Sequence, residues 1–307
     1  MKKLIFTLVL IPGFLFAQDD LLGELEKQTK TTDYAFATFK GTRLGNGHTV
    51  ETKGKNTLEF IFQHRFGLIS GGVYEMFGLD QAHVRLALDY GITDNLSVSI
   101  GRNSVDKTMD GYLKYKVLRQ SKGEKNFPVT ITAFANAAYR FSPKKNNEVS
   151  DDFKSIDRLS YTSQLLIARK FSRNFSFQLM PTFVHKNSID FAVETAEHNQ
   201  FALGFGGRLK VSRSIALTGE YYANFNKGQY VDAYAPVTND PIYKPYQDAV
   251  SFGIDIETGG HVFQLLLTNA FGLNERAYLT ETKDNFFAGD IHLGFNVTRT
   301  FQLKKKK

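Results

Sequence analysis

Residues 286–301 read FFAGDIHLGFNVTRTF. On an extended chain Phe287, Gly289, Ile291, Leu293, Phe295 and Val297 fall on one side, and Ala288, Asp290, His292, Gly294, Asn296 and Thr298 on the other. Successive side chains of a strand point to opposite faces, so this stretch has one greasy face and one polar face. Such a strand near the end of an exported chain suits the closing strand of a membrane β-barrel, apolar outward and polar inward.

The same rhythm starts near residue 57. Alternating segments fall at residues 57–65, 81–90, 95–102, 111–119, 128–140 and 157–168. Six more fall at 175–185, 200–210, 215–225, 248–256, 261–270 and 286–297. Leu58, Phe60 and Phe62 oppose Glu59 and Gln63, and Val84, Leu86 and Leu88 oppose His83, Arg85 and Asp89. Ile215, Leu217 and Tyr221 likewise oppose Thr218, Glu220 and Asn224. Segments 111–119 and 261–270 alternate poorly, and their register stays open. About twelve strands of bilayer-crossing length are expected.

The connections alternate long and short. Tight ones carry Thr93-Asp94-Asn95, Ser172-Arg173-Asn174, Ser212-Arg213-Ser214 and Thr258-Gly259-Gly260, all turn-forming residues. If the chain enters from the periplasm before Thr57, every tight turn lies on that side and the long loops lie outside, as in outer-membrane barrels. A soluble β-sandwich has no reason to sort its loops by parity. A lipocalin-like barrel buries apolar residues inside, and a β-solenoid would show a short fixed repeat.

Composition agrees. The 307 residues include 25 Gly, 28 Phe and 14 Tyr but no Trp and no Cys. Mean hydropathy of -0.27 excludes a bundle of membrane helices but not a barrel, half of whose strand residues are polar. Of the formal charge of +7, Lys2, Lys3 and the run 304–307 account for all but one unit. The body is nearly neutral, so nucleic acid is not an implied partner. Without cysteine there are no disulfides, thiol chemistry or Cys-ligated metals.

Residues 1–17, MKKLIFTLVLIPGFLFA, have the layout of a secretory signal peptide, although Leu15 stands where a small residue usually precedes the cut. Residues 18–56 form a periplasmic N-terminal extension, 57–301 the barrel and 302–307 a basic tail. Gly41, Gly45 and Gly47 lack the Gly-Lys-Ser/Thr of a phosphate loop, so residues 34–48 read as an extended segment with tight turns, tucked into or under the barrel.

The stretches 37–51 (ATFKGTRLGNGHTVE), 58–67 (LEFIFQHRFG), 77–81 (FGLDQ), 88–94 (LDYGITD) and 110–115 (DGYLKY) resemble a β-barrel family of unknown function that is widespread in Bacteroidetes. The resemblance implies an outer-membrane barrel and supplies no activity and no catalytic residues.

Chemistry is sparse. The seven histidines (His48, His64, His83, His185, His198, His261 and His292) form no ligand-spaced pair on one face. His83 and His292 lie on lumen faces near the seam where the first and last strands of a closed barrel meet, and solvated wall positions are preferred to a metal site. No His-x-Ser of an outer-membrane phospholipase occurs, and Asp190, Glu194, Glu197 and His198 share one outer loop, where a solvated charged loop is preferred to a protease-like site. No cofactor is implied.

The lumen says more. Arg65, Arg85, Arg140, Arg208 and Lys210 point inward from the earlier strands, and Glu220, Asp255, Glu257 and Asp290 from the later ones, with His83 and His292 beside them. Two opposed arcs of charge suit a narrow pore for small polar or zwitterionic solutes, or else pair off and plug the barrel. Residues 226–247 (NKGQYVDAYAPVTNDPIYKPYQ), with four tyrosines, suit contact with an envelope partner. Tyr90, Phe141, Phe171, Phe175 and Phe271 are placed for interfacial belts against outer-membrane lipid. The expectation is an antiparallel outer-membrane β-barrel of about twelve strands, a pore or a structural support. The alternatives are an outer-rim lipase- or protease-like enzyme and a secreted β-sandwich.

Overall fold

The computed structural model describes residues 31–141, 154–189, 197–236 and 241–303. The expected signal peptide, residues 18–30 of the extension, Asp190, Glu194 and the lysine run 304–307 lie outside the described residues.

Strands in chain order are β1 (Thr32–Tyr34), β2 (Thr57–Leu68), β3 (Ala82–Gly91), β4 (Leu96–Asn103), β5 (Thr108–Leu118), β6 (Ser121–Gly123), β7 (Thr130–Arg140) and β8 (Leu159–Lys170). There follow β9 (Phe175–Lys186), β10 (Asn199–Lys210), β11 (Ile215–Asn224), β12 (Gln229–Tyr234), β13 (Pro241–Pro245), β14 (Ala249–Thr258), β15 (His261–Thr268) and β16 (His292–Gln302). Twelve of them close an antiparallel barrel in chain order, sealed by β16 against β2, while β1–β6 and β12–β13 form two small ribbons outside it. Closure leaves the barrel sheet no unpaired edge, which a hydrocarbon environment demands. The tight connections after β3, β8, β10 and β14 all lie at one end, here the turn end, together with Thr57 and Gln302; the long connections lie at the other, the loop end.

The sheet is greasy outside and polar inside, the reverse of a soluble protein. Leu86, Leu88, Ile100, Leu113, Leu165, Phe252 and Leu265 are exposed on the outer face, whereas Glu59, Gln63, Arg65, Arg85, Lys114, Gln178 and Glu220 are buried inside. The two segments of open register now have their reasons. β5 shifts register between Lys116 and Leu118. β15 carries apolar residues on both faces, with Val262 and Leu266 buried inward and Phe263, Leu265 and Leu267 exposed outward.

The last strand is shorter than its sequence suggests. β16 begins at His292, and Phe286–Ala288 make a 3-10 turn. The Asn285 side chain accepts from the Phe287 N–H, and Gly289 ends the turn at φ 92°, a left-handed conformation that glycine adopts without strain. Asp290 is therefore loop, its carboxylate accepting the Asn285 N–H, and it does not line the wall. Phe271 leaves the expected belt too: the chain after β15 turns inward, and its ring packs between His83 (3.9 Å) and His292 (4.9 Å). Tyr90, Phe141, Phe171 and Phe175 stay near strand ends, with the three phenylalanines exposed.

Lipid on the outer face makes Leu265→Arg, in the middle of β15, costly by about 2–4 kcal/mol. Equilibrium denaturant unfolding in lipid vesicles measures it; an unchanged stability would mean that water bathes this face.

Candidate functional site in the barrel lumen

A wall of inward polar groups must find partners, and here most of them find a piece of the same chain. Residues 38–50 lie inside the barrel, with Thr38, Phe39, Thr42, Arg43, Leu44, Asn46, His48, Thr49 and Val50 all buried. They form a hairpin: Arg43 bridges His48, the Leu44 N–H donates to Gly47 O (2.9 Å) and the Thr49 N–H to Thr42 O (3.0 Å). Both legs leave at the turn end. There Lys170 Nζ donates to Phe36 O (2.6 Å), and the Lys55 N–H donates to Asp94 (2.9 Å). The tip, Gly45-Asn46-Gly47, reaches past the middle of the barrel.

The wall holds the hairpin through its backbone. Glu220 on β11 accepts the Asn46 N–H (2.5 Å) and the Gly47 N–H (3.1 Å), and Arg65 on β2 donates to the Asn46 side chain (2.9 Å). Gln178 on β9 accepts the Val50 N–H (2.8 Å) and donates to His48 O (2.7 Å). Gln264 on β15 donates to Leu44 O (2.6 Å), Asn296 on β16 to Gly45 O (2.9 Å), and Lys114 on β5 to Thr42 O and Glu51 O (both 3.0 Å). Shape matches as well as polarity. A Cβ on Gly47 would collide with the Tyr222 hydroxyl, and one on Gly206 of β10 would collide with Leu44.

A second insert comes from the loop end. Helix α1 (Glu275–Thr280), capped by the Asn274 side chain, is buried along its whole length. It meets the hairpin at Glu275, whose Oε1 lies 3.3 Å from Arg43 Nη2 and 2.8 Å from His48 Nε2. All three side chains are sealed from solvent. The short approach to a carboxylate assigns the His48 proton to Nε2. The imidazole packs on Phe134 (4.2 Å) and edge-on to Tyr112 (4.6 Å). His48 sits on the inserted hairpin rather than on a spanning strand. Burial, then the charges of Arg43, Lys114 and Arg85, hold its pKa well below the ordinary histidine value.

The expected lumen residues are distributed as follows. Arg65, Arg85, Arg208, Glu220 and Asp255 are buried inside. Arg140 stands at the loop end of its strand; Lys210 and Glu257 are half-buried at the turn end, where Glu257 pairs with Lys40 of the hairpin leg. His83 and His292 are separated by the Phe271 ring, and His292 is engaged by Phe66 O (2.9 Å) and Asp284 (3.0 Å). The described residues hold no cluster of three or more His, Cys, Asp or Glu that could bind a metal ion. The two arcs of charge mix, because Glu59, Asp89 and Asp110 point inward among the early basic residues and Arg85 pairs with Asp110 on β5. In the 190s loop, Glu197 accepts from Asn226 (2.6 Å) and His198 contacts Lys186 O (2.6 Å). Sequence reasoning missed Arg43, His48 and Glu275, whose roles depend on two distant segments meeting. It had the signal for Gln178 and Asn296, at inward positions of alternating strands, but not for Gln264, whose segment alternates poorly.

The family model described as "membrane bound beta barrel domain (DUF5777)" matches residues 39–301. No curated protein matches the chain. The fold is similar to the NanC porin (9% identity, TM-score 0.48), covering 80% of this chain and 98% of that one. It is also similar to the KdgM porin (7%, 0.44, 80% and 98%) and to an outer membrane channel from Pseudomonas putida F1 (14%, 0.47, 81% and 96%).

Glu275→Ala leaves Arg43 buried without its carboxylate, at a cost of about 3 kcal/mol or more to hairpin docking. Amide exchange at residues 42–49, read by mass spectrometry, should speed up about a hundredfold. Acid acts in the same direction. A withdrawn hairpin takes up a proton on His48 below about pH 6.5 that the docked one refuses, so docking is full above that pH and weakens beneath it. Exchange at residues 42–49, corrected for intrinsic rates, should rise from pH 7.5 to pH 5, and His48→Gln should flatten the dependence.

Proposed function

The chain belongs to the membrane bound beta barrel domain family, and from that premise we propose that it is an outer-membrane pore for small polar or zwitterionic solutes, closed by its own N-terminal hairpin. The outer membrane of a Gram-negative cell is the proposed site, consistent with the Bacteroidetes resemblance; the tight turns then face the periplasm and the long loops the outside.

The observation that carries the reading is that both hairpin legs leave the lumen at the turn end. The hairpin is thus free to withdraw without threading past the helix or any loop. Its hold is mostly hydrogen bonds to wall side chains, groups that water can satisfy equally well once the hairpin leaves. What remains is a polar passage, narrowed from the loop end by α1, in which charged walls act strongly on solutes.

A second reading, support for an envelope partner, draws on the ribbon β12–β13. It packs Tyr230 on Tyr246 (5.2 Å) and is tied to the inner insert by the Gln247 N–H donating to Thr282 O (2.7 Å). Deleting residues 229–244 should abolish capture of that partner from solubilised envelopes.

Planar-bilayer recording tests the pore. The full chain should be silent or show rare small steps, and deletion of residues 37–52 should give frequent, larger ones. A deletion variant that inserts and still conducts no better than the full chain sinks the reading.

A further inference from the structure

Residues 69–80 join β2 to β3 at the loop end and read ISGGVYEMFGLD, with Glu75 and Asp80 as their only charges. Connections that meet water are ordinarily polar. This one is folded to display its apolar side chains. Met76 and Phe77 take left-handed backbone angles (φ 48° and 55°), which bulky residues rarely adopt. The Phe77 N–H donates to Gly72 O (2.7 Å) and the Leu79 N–H to Met76 O (3.1 Å), which closes the turn. A Cβ on Gly78 would strike Gly67 O, so the turn is clamped to the end of β2. Val73, Tyr74, Met76, Phe77 and Leu79 all stand exposed, Tyr74 at 94%, while the Glu75 carboxylate curls back over Gly71.

A second segment meets it at the rim. The chain returning from α1 to β16 lays Phe286 on Phe252 (5.7 Å), a lipid-facing residue of β14, with Phe287 edge-on to Phe286 (5.8 Å). Phe287 is 83% exposed. The Ile69 N–H donates to Ile291 O (2.9 Å), which ties the two segments together. Across the wall, from Phe252 past Leu267 and Leu293 to Phe66, runs an apolar groove of about 490 Å³. Greasy surface is therefore continuous from the lipid-facing wall, through Phe252 and Phe286, onto the rim. Apolar patches of this kind need cover, and the medium that already covers Phe252 reaches Phe287 without a break. Aromatic rings are also side chains that settle at the edge of a bilayer. We propose that the β2–β3 loop and the Phe286–Ala288 turn form an apolar ledge, sunk among the lipid acyl chains of the leaflet at the loop end. The ledge stands at the seam of β16 and β2 and anchors the segment that joins α1 to the wall. It needs the barrel in a membrane and does not need the pore.

The chain contains no Trp, so Phe287→Trp and Tyr74→Trp each introduce a single fluorescent reporter. Each full-length variant is reconstituted into phosphatidylcholine vesicles, plain or brominated along the acyl chains. Leu265→Trp serves as the reference in lipid and N-acetyltryptophanamide as the reference in water. Bromine should dim both rim reporters about twofold or more, as it dims Leu265→Trp, and aqueous iodide should leave them bright. Heat-modifiable migration on gels checks that each variant is folded. Iodide quenching of either reporter to the extent seen for N-acetyltryptophanamide overturns the ledge. Shielding of the reporters from bromine and iodide alike overturns it too, because a second copy or another part of the chain then covers the patch.

Discussion

A closed sheet with lipid on its outside must turn its polar side chains inward, and those side chains then need partners in a space too narrow to hold much water. That constraint shapes most of this molecule. Amides such as Gln178, Gln264 and Asn296 offer donors and acceptors from the wall, and a hairpin backbone with glycines at its tip is the complement that fits. Charged wall groups follow the same rule. Arg65 and Glu220 approach the Gly45-Asn46-Gly47 tip from different strands and hold its exposed carbonyl and N–H groups.

Glu275 is where the two inserts depend on each other. Its carboxylate has been taken out of water, and Arg43 and His48, both from the opposite end of the barrel, supply what water would have supplied. While both are docked, neither insert can shift against the other without breaking the Glu275 contacts. The hairpin and the helix thus act as one inner body, although more than two hundred residues separate them in the chain.

The barrel was legible from residue spacing, while the inner body was not. Period-two alternation survives in any strand with one face in lipid, so the facing of β3 is plain where Val84, Leu86 and Leu88 oppose Arg85 and Asp89. Alternation failed only where a bulge intervenes, at Lys116, or where the lumen is itself apolar, at Val262 and Leu266. The lumen escaped because it is assembled from irregular segments. Nothing local in residues 42–49 says what lies opposite them, and a short helix inside a long loop has too few turns for a periodic signal. The apparent strand start at Phe286 failed for a related reason: alternation continues through a turn that Asn285 and Gly289 define by capping rather than by pattern.

The bare stretch of wall at Gly206 faces the Leu44 side chain across the lumen. Bulk removed from the cylinder is thus supplied by the strap within it, and the two positions share one fixed volume. Evolution can therefore change them only as a couple. Where a relative carries a larger residue at the first position, the second must shrink, and the covariation of such pairs would trace the inner body's outline from aligned sequences alone.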